Sequence, residues 1–167
     1  MKRYILLKQL LLPAFINLTL NGLICWLVLK NTSVITFWGK SSIGIDLLIT
    51  AFLIPFITSL INSYVIAEQV VNGKLEPMNM RSNQVTGWLL RPTYLKSTFL
   101  GLICIAFAGL PTIIVLQMIW NDPISLWNYV LFKSLWAAVL AAIVSPLIAI
   151  WAIQKGSYLI TDSTQNT

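Results

Sequence analysis

The sequence predicts an all-α integral membrane protein: one bundle of four transmembrane helices with both termini in the cytoplasm. Three observations predict it. Apolar residues make up 57% of the 167 and charged residues only 10%, against about 25% charged in a soluble domain. The mean hydropathy is +0.81. The few charges divide the chain into four long uncharged windows. This composition excludes a soluble enzyme domain, a disordered tail and a secreted disulfide scaffold.

The windows are 9–29, 47–67, 97–121 and 134–154. A helix rises about 1.5 Å per residue and the hydrocarbon core is about 30 Å thick, so each window crosses once. The expected spans are 9–29, 47–67, 97–120 and 131–154, in a single domain covering 1–167. Runs such as Leu47-Leu48-Ile49 and Ile113-Ile114-Val115-Leu116 are apolar all round. A membrane barrel needs alternation, and a helix is what satisfies the backbone in lipid. The first window reads as a retained signal-anchor: Lys8 interrupts the N-terminal apolar run early, the run is long and no small-x-small cleavage pattern follows Trp26.

Charge sets the orientation. Lys2, Arg3, Lys8, Lys74, Arg81, Arg91, Lys96 and Lys155 fall on the side of the termini. Lys30, Lys40 and Lys133 fall on the other. Eight cations against three place both termini in the cytoplasm. Trp26, Trp38, Trp120, Trp127, Tyr129 and Trp136 mark the outer boundary; Trp88, Trp151, Tyr4, Tyr94 and Tyr158 mark the inner one. The net charge of +6 is topology signal that favours anionic lipid and needs no nucleic acid.

The connections follow from their turn formers. Residues 30–45 hold Asn31-Thr32-Ser33, Gly39-Lys40-Ser41-Ser42 and Gly44, and Asn121-Asp122-Pro123 makes the second outer turn. The cytoplasmic loop 68–96 contains Pro77 and Pro92, which break helix, and an interfacial stretch Gly87-Trp88-Leu89-Leu90-Arg91. The tail 157–167 is polar and expected to fray. Aligning Pro55 with Pro146 reveals no internal repeat beyond the general likeness of two apolar helices.

Chemistry-bearing clusters are few. The chain has no His, the commonest general base and metal ligand. Its acids are Asp46, Glu68, Glu76, Asp122 and Asp162, dispersed at span ends and in loops. No catalytic residue, metal site or cofactor is expected, and the chain does not read as an enzyme. Cys25 and Cys104 differ in depth by about 12 Å at the helical rise, which makes a disulfide improbable.

Three sets of residues are singled out. Asn17 and Asn21 lie four apart on the first span, and Thr58 and Asn62 four apart on the second. They serve either as interhelical hydrogen bonds worth about 0.6 kcal/mol each or as the lining of a solute path. Asp46 and Lys133, near Lys40 and Gln117 in depth, form an outer ion pair or snorkel separately to water. Ala137, Ala141 and Ser145 repeat every four residues and mark a helix-packing face. Gly101, Ala106, Ala108 and Gly109 lighten span three, so spans three and four are expected to pair tightly. Pro55, Pro111 and Pro146 fall near mid-span and bend their helices.

Asn21-Gly22 with Trp26, then Trp38-Gly39, Ile43, Asp46, Thr50, Phe52, Pro55-Phe56 and Thr58, resembles a pattern in small uncharacterised bacterial inner-membrane proteins. Their tandem two-span members are grouped as a domain of unknown function. The likeness covers residues 17–75. It implies four spans and a bacterial inner membrane, and carries over no residue role. The leading expectation is a non-enzymatic accessory, scaffold or assembly subunit, partnered by the lipid bilayer and by a membrane protein or a homo-oligomer. The alternative is an oligomeric permease or channel for a small solute or ion.

Overall fold

A computed structural model describes residues 9–32, 35–38, 42–77, 91–120 and 124–165. Each apolar window becomes a helix, which satisfies its backbone hydrogen bonds within the segment. The helices are α1 (Leu12–Leu29), α2 (Ile43–Val71), α3 (Thr93–Cys104), α4 (Leu110–Ile119) and α5 (Leu126–Gln165). A π turn at Ile105–Gly109 joins α3 to α4, so Gln9–Leu29, Ile43–Val71, Thr93–Ile119 and Leu126–Ile160 are four helices long and apolar enough to cross a membrane. Among the described residues the only extended pairings are isolated bridges, Ile35 with Ile124 and Thr36 with Ser42.

The helices outrun the uncharged windows. α2 begins at Ile43 rather than 47 and ends at Val71 rather than 67; the last helix begins at Leu126 rather than 131. At the starts of α2 and α5 the charges do not end the helices, because Asp46 and Lys133 pair with one another inside the bundle. α2 stops instead at Gly73, whose φ of 70° closes the helix in the left-handed conformation that glycine adopts freely. Lys74 N–H then reaches back to Gln69 O at 2.8 Å.

The prolines act in two ways. Pro111 has no N–H and would press on the carbonyl four residues back; the helix widens to a π turn just before it. Residues 9–11 make a similar turn before Pro13. Pro55 and Pro146 sit inside uninterrupted α-helix.

Packing places α5 at the centre. It lies against α1 on one side and α2 on another, while span three (Thr93–Ile119) lies against α2. The expected tight pairing of spans three and four is therefore corrected. A Cβ on Gly101 would meet the Phe52 ring at 2.6 Å, and one on Gly109 would meet Ala51 at 3.2 Å, so the glycines of span three face α2. Span three touches α5 through longer side chains: Trp136 Nε1 donates to Thr112 Oγ1 at 3.0 Å and Lys155 Nζ to Thr93 Oγ1 at 3.5 Å.

The tail also differs from expectation. α5 continues past Gly156 to Gln165. Gly156 is a contact residue: an added Cβ would stand 2.9 Å from Ala67 O and 2.8 Å from Val70 Cβ. Ser157 is buried and donates to Ile153 O. Docking on α2 holds as helix a segment whose polar composition reads as frayed.

The interfacial stretch 87–90, the Asn121–Pro123 turn, and Tyr4, Lys2, Arg3, Lys8, Lys40 and Arg81 lie outside the described residues. The outward surface of the helices is apolar, with Phe15, Val28, Phe107, Met118 and Ile143 all well exposed. Such a belt, on helices of spanning length, suggests a membrane protein.

Candidate functional site: a buried ion pair and an interhelical groove

The end of the bundle where α1 stops and α2 starts is here termed the Asp46 end. Asp46 stands in the first turn of α2, where a carboxylate complements the helix dipole. Lys133 and Tyr129 lie four apart on one face of α5. Lys133 Nζ donates to Asp46 Oδ1 at 2.6 Å, and Tyr129 Oη donates to Asp46 Oδ2 at 2.6 Å. Both carboxylate oxygens are thus engaged from α5. The lysine side chain is 4% exposed and the aspartate 37%, so the cation is enclosed while the anion keeps an open side.

The structure thus brings Asp46 and Lys133 together. Gln117 is exposed on α4, and Lys40 lies outside the described residues. Tyr129, expected in the outer aromatic belt, is instead fully buried in the core formed by Cys25, Leu29, Ile43, Leu47 and Leu116. The i, i+4 spacing of Tyr129 and Lys133 was the sequence signal for its role. Trp127 is exposed as expected of a boundary residue. Lys30 lies 5.3 Å from the centroid of Trp26, a cation–π contact at the same end.

The start of α2 is held in an unusual way. Ile43 N–H donates to Thr36 O and Gly44 N–H to Phe37 O. The backbone of the preceding segment thereby satisfies donors that a capping side chain would otherwise take. Ser42 occupies the cap position without making a side-chain cap, and its hydroxyl is buried with no partner among the described residues.

A second feature runs along α1 and α2. Between them lies a groove of about 540 Å³, lined on one side from Gln9 to Ile24 and on the other from Leu53 to Gln69. Asn17, Asn21, Thr58 and Asn62 all line it. The two α1 amides bond to their own helix: Asn17 Nδ2 to Pro13 O at 2.9 Å, and Asn21 Nδ2 to Asn17 O at 3.1 Å. Asn62 reaches across, donating from Nδ2 to Gln9 Oε1 at 3.4 Å. α1 is held to α5 by close approach, with Gly22 against Ser134, and of its residues only Cys25 and Leu29 are buried.

Ala137, Ala141 and Ser145 are fully buried and share a cluster or its surroundings with Ile54, Leu100 and Cys104. The small-residue face is therefore consumed within the chain. Cys25 and Cys104 are both buried free thiols. Among the described residues no three His, Cys, Asp or Glu side chains gather as for a metal ion. Compared with known proteins, the chain matches no family model, no curated protein and no solved structure.

Proposed function

We propose that the chain is a four-span, non-enzymatic subunit of a bacterial inner membrane. Both termini lie in the cytoplasm, and it acts by accepting a transmembrane helix of a partner protein between α1 and α2. The observation that carries this reading is the groove. In lipid, helices associate through close packing and a few polar contacts rather than through hydrophobic burial. The groove supplies apolar walls, such as Ile16, Leu20, Ile57 and Ile61, and hydrogen-bonding groups on Asn62 and Thr58. It follows α1 from Gln9 to Ile24, about 22 Å at the helical rise. That is most of the hydrocarbon thickness, the extent of a spanning helix. The eight-to-three distribution of cations supports the orientation, and four helices long and apolar enough to cross a bilayer support the membrane.

Photo-crosslinking tests the reading in intact membranes. A crosslinker at Ile61 or Ile16 is expected to give one discrete adduct with a membrane protein. The same crosslinker at Phe107, on the far face of span three, is expected to give none. An adduct between two copies of the chain, or equal capture from both faces, overturns it.

A small-solute permease is the second reading. It is favoured by Ile24, which lines both the groove and a small cavity beside Asp46 and Lys133. Ile24 therefore separates polar groups that otherwise follow one another along α1 and α2. Labelling of Asn21→Cys by an aqueous thiol reagent from both sides of the membrane would favour this reading over helix docking.

A further inference from the structure

We infer that the cavity beside the Asp46–Lys133 pair is a hydrated binding site for small amphiprotic solute, occupied by water and reached from the Asp46 end. The cavity measures about 80 Å³ and is lined by Ser42, Asp46, Tyr129 and Lys133 with Cys25 and apolar residues of α1. At roughly 30 Å³ per molecule it takes about two or three waters.

The donor and acceptor count selects this class of ligand. Ser42 is 5% exposed and its hydroxyl, a donor and an acceptor, has no partner among the described residues. It makes no side-chain cap to α2, and the Gly44 N–H is taken by Phe37 O instead. The Lys133 ammonium has three N–H groups and gives one to Asp46 Oδ1. Each Asp46 oxygen has accepted one hydrogen bond and retains acceptor capacity. The site therefore presents donors and acceptors in balance. A simple anion would satisfy only the former, and a simple cation only the latter. A molecule that both donates and accepts satisfies Ser42, Lys133 and Asp46 together. The open side of Asp46 gives the entry.

Cys25 reports on the cavity. Ag⁺ travels through water and binds thiolate, so a thiol on a hydrated cavity is silvered while one in dry packing is protected. The experiment uses the full chain in lipid nanodiscs, as Cys104→Ser, which keeps Cys25, and as Cys25→Ser, which keeps Cys104 among Ile54, Leu100 and Ala137. After timed exposure to Ag⁺, the chain is denatured and its remaining thiol counted with a maleimide. Cys25 is expected to react at least about tenfold faster than Cys104. Ser42→Val, which removes the hydroxyl and fills the space, is expected to abolish the difference by slowing Cys25. Equal rates at the two cysteines overturn the inference, as does a Cys25 rate unchanged by Ser42→Val. Where Ser42→Val also speeds Cys104, the bundle has loosened and Leu29→Phe, enlarging a buried wall of the cavity on α1, decides. A slowed Cys25 then supports the hydrated site, and an unchanged one overturns it.

Discussion

Lys133 Nζ stands 2.6 Å from Asp46 Oδ1 and is almost wholly enclosed, whereas the carboxylate it holds is more than a third exposed. This asymmetry gives the two halves of the pair different energetic weights. Asp46→Asn strands an enclosed ammonium and is expected to cost about 3 kcal/mol. Lys133→Met leaves a carboxylate that water still reaches, and is expected to cost about 1 kcal/mol. Unfolding in mixed micelles measures both. Asp46→Lys combined with Lys133→Asp is expected to recover stability lost in Asp46→Lys alone; no recovery would sink the pair.

One glycine just beyond α2 and one within α5 separate steric from conformational cost. Gly156→Ala drives a methyl group towards Ala67 O and Val70 and is expected to destabilise by about 1–3 kcal/mol. Gly73→Ala meets nothing within 4 Å but keeps a φ of 70°, and is expected to cost about 1 kcal/mol. Limited proteolysis beyond residue 157 should increase in the first variant only.

The small-residue face makes a prediction about assembly. Ala141 is fully buried in a cluster with Ile54, Val144 and Ile148. Ala141→Leu is expected to destabilise the chain by about 1–3 kcal/mol and to leave its mass in detergent unchanged. A shift in oligomeric state without loss of stability would show that the face meets another copy.

Trp136 and Thr112 allow the linkage of α5 to span three to be measured. The 3.0 Å hydrogen bond is expected to be worth about 0.6 kcal/mol, the average for such bonds in membrane proteins. Trp136→Phe and Thr112→Val together should therefore cost less than their sum by about that amount.

The number of helices was legible in the sequence because lipid leaves a continuous apolar window no other fold. Their ends were not, because a charge marks a helix boundary only where it must reach water, and Asp46 and Lys133 pair within the bundle instead. The groove residues were legible from four-residue spacing on α1 and α2. The packing order was not: periodicity shows which residues share a face, but not which neighbour that face meets. Gly101 and Gly109 looked suited to span four and met Phe52 and Ala51 instead. Tyr129 was hidden by composition, since a Tyr beside Trp127 and Asn128 reads as a boundary residue until Lys133, one turn on, is seen to share its partner.

The widened turn before Pro111 has a consequence for phase. Gly101 and Gly109 are eight residues apart, which in unbroken α-helix is two turns and about 80° more. Both nonetheless face α2. The π turn between them takes in an extra residue and so unwinds most of that angle. Proline here serves as a timing device, holding two distant glycines in register with one neighbour. A substitution that lets this turn tighten would rotate one half of span three off the surface that the other half still holds.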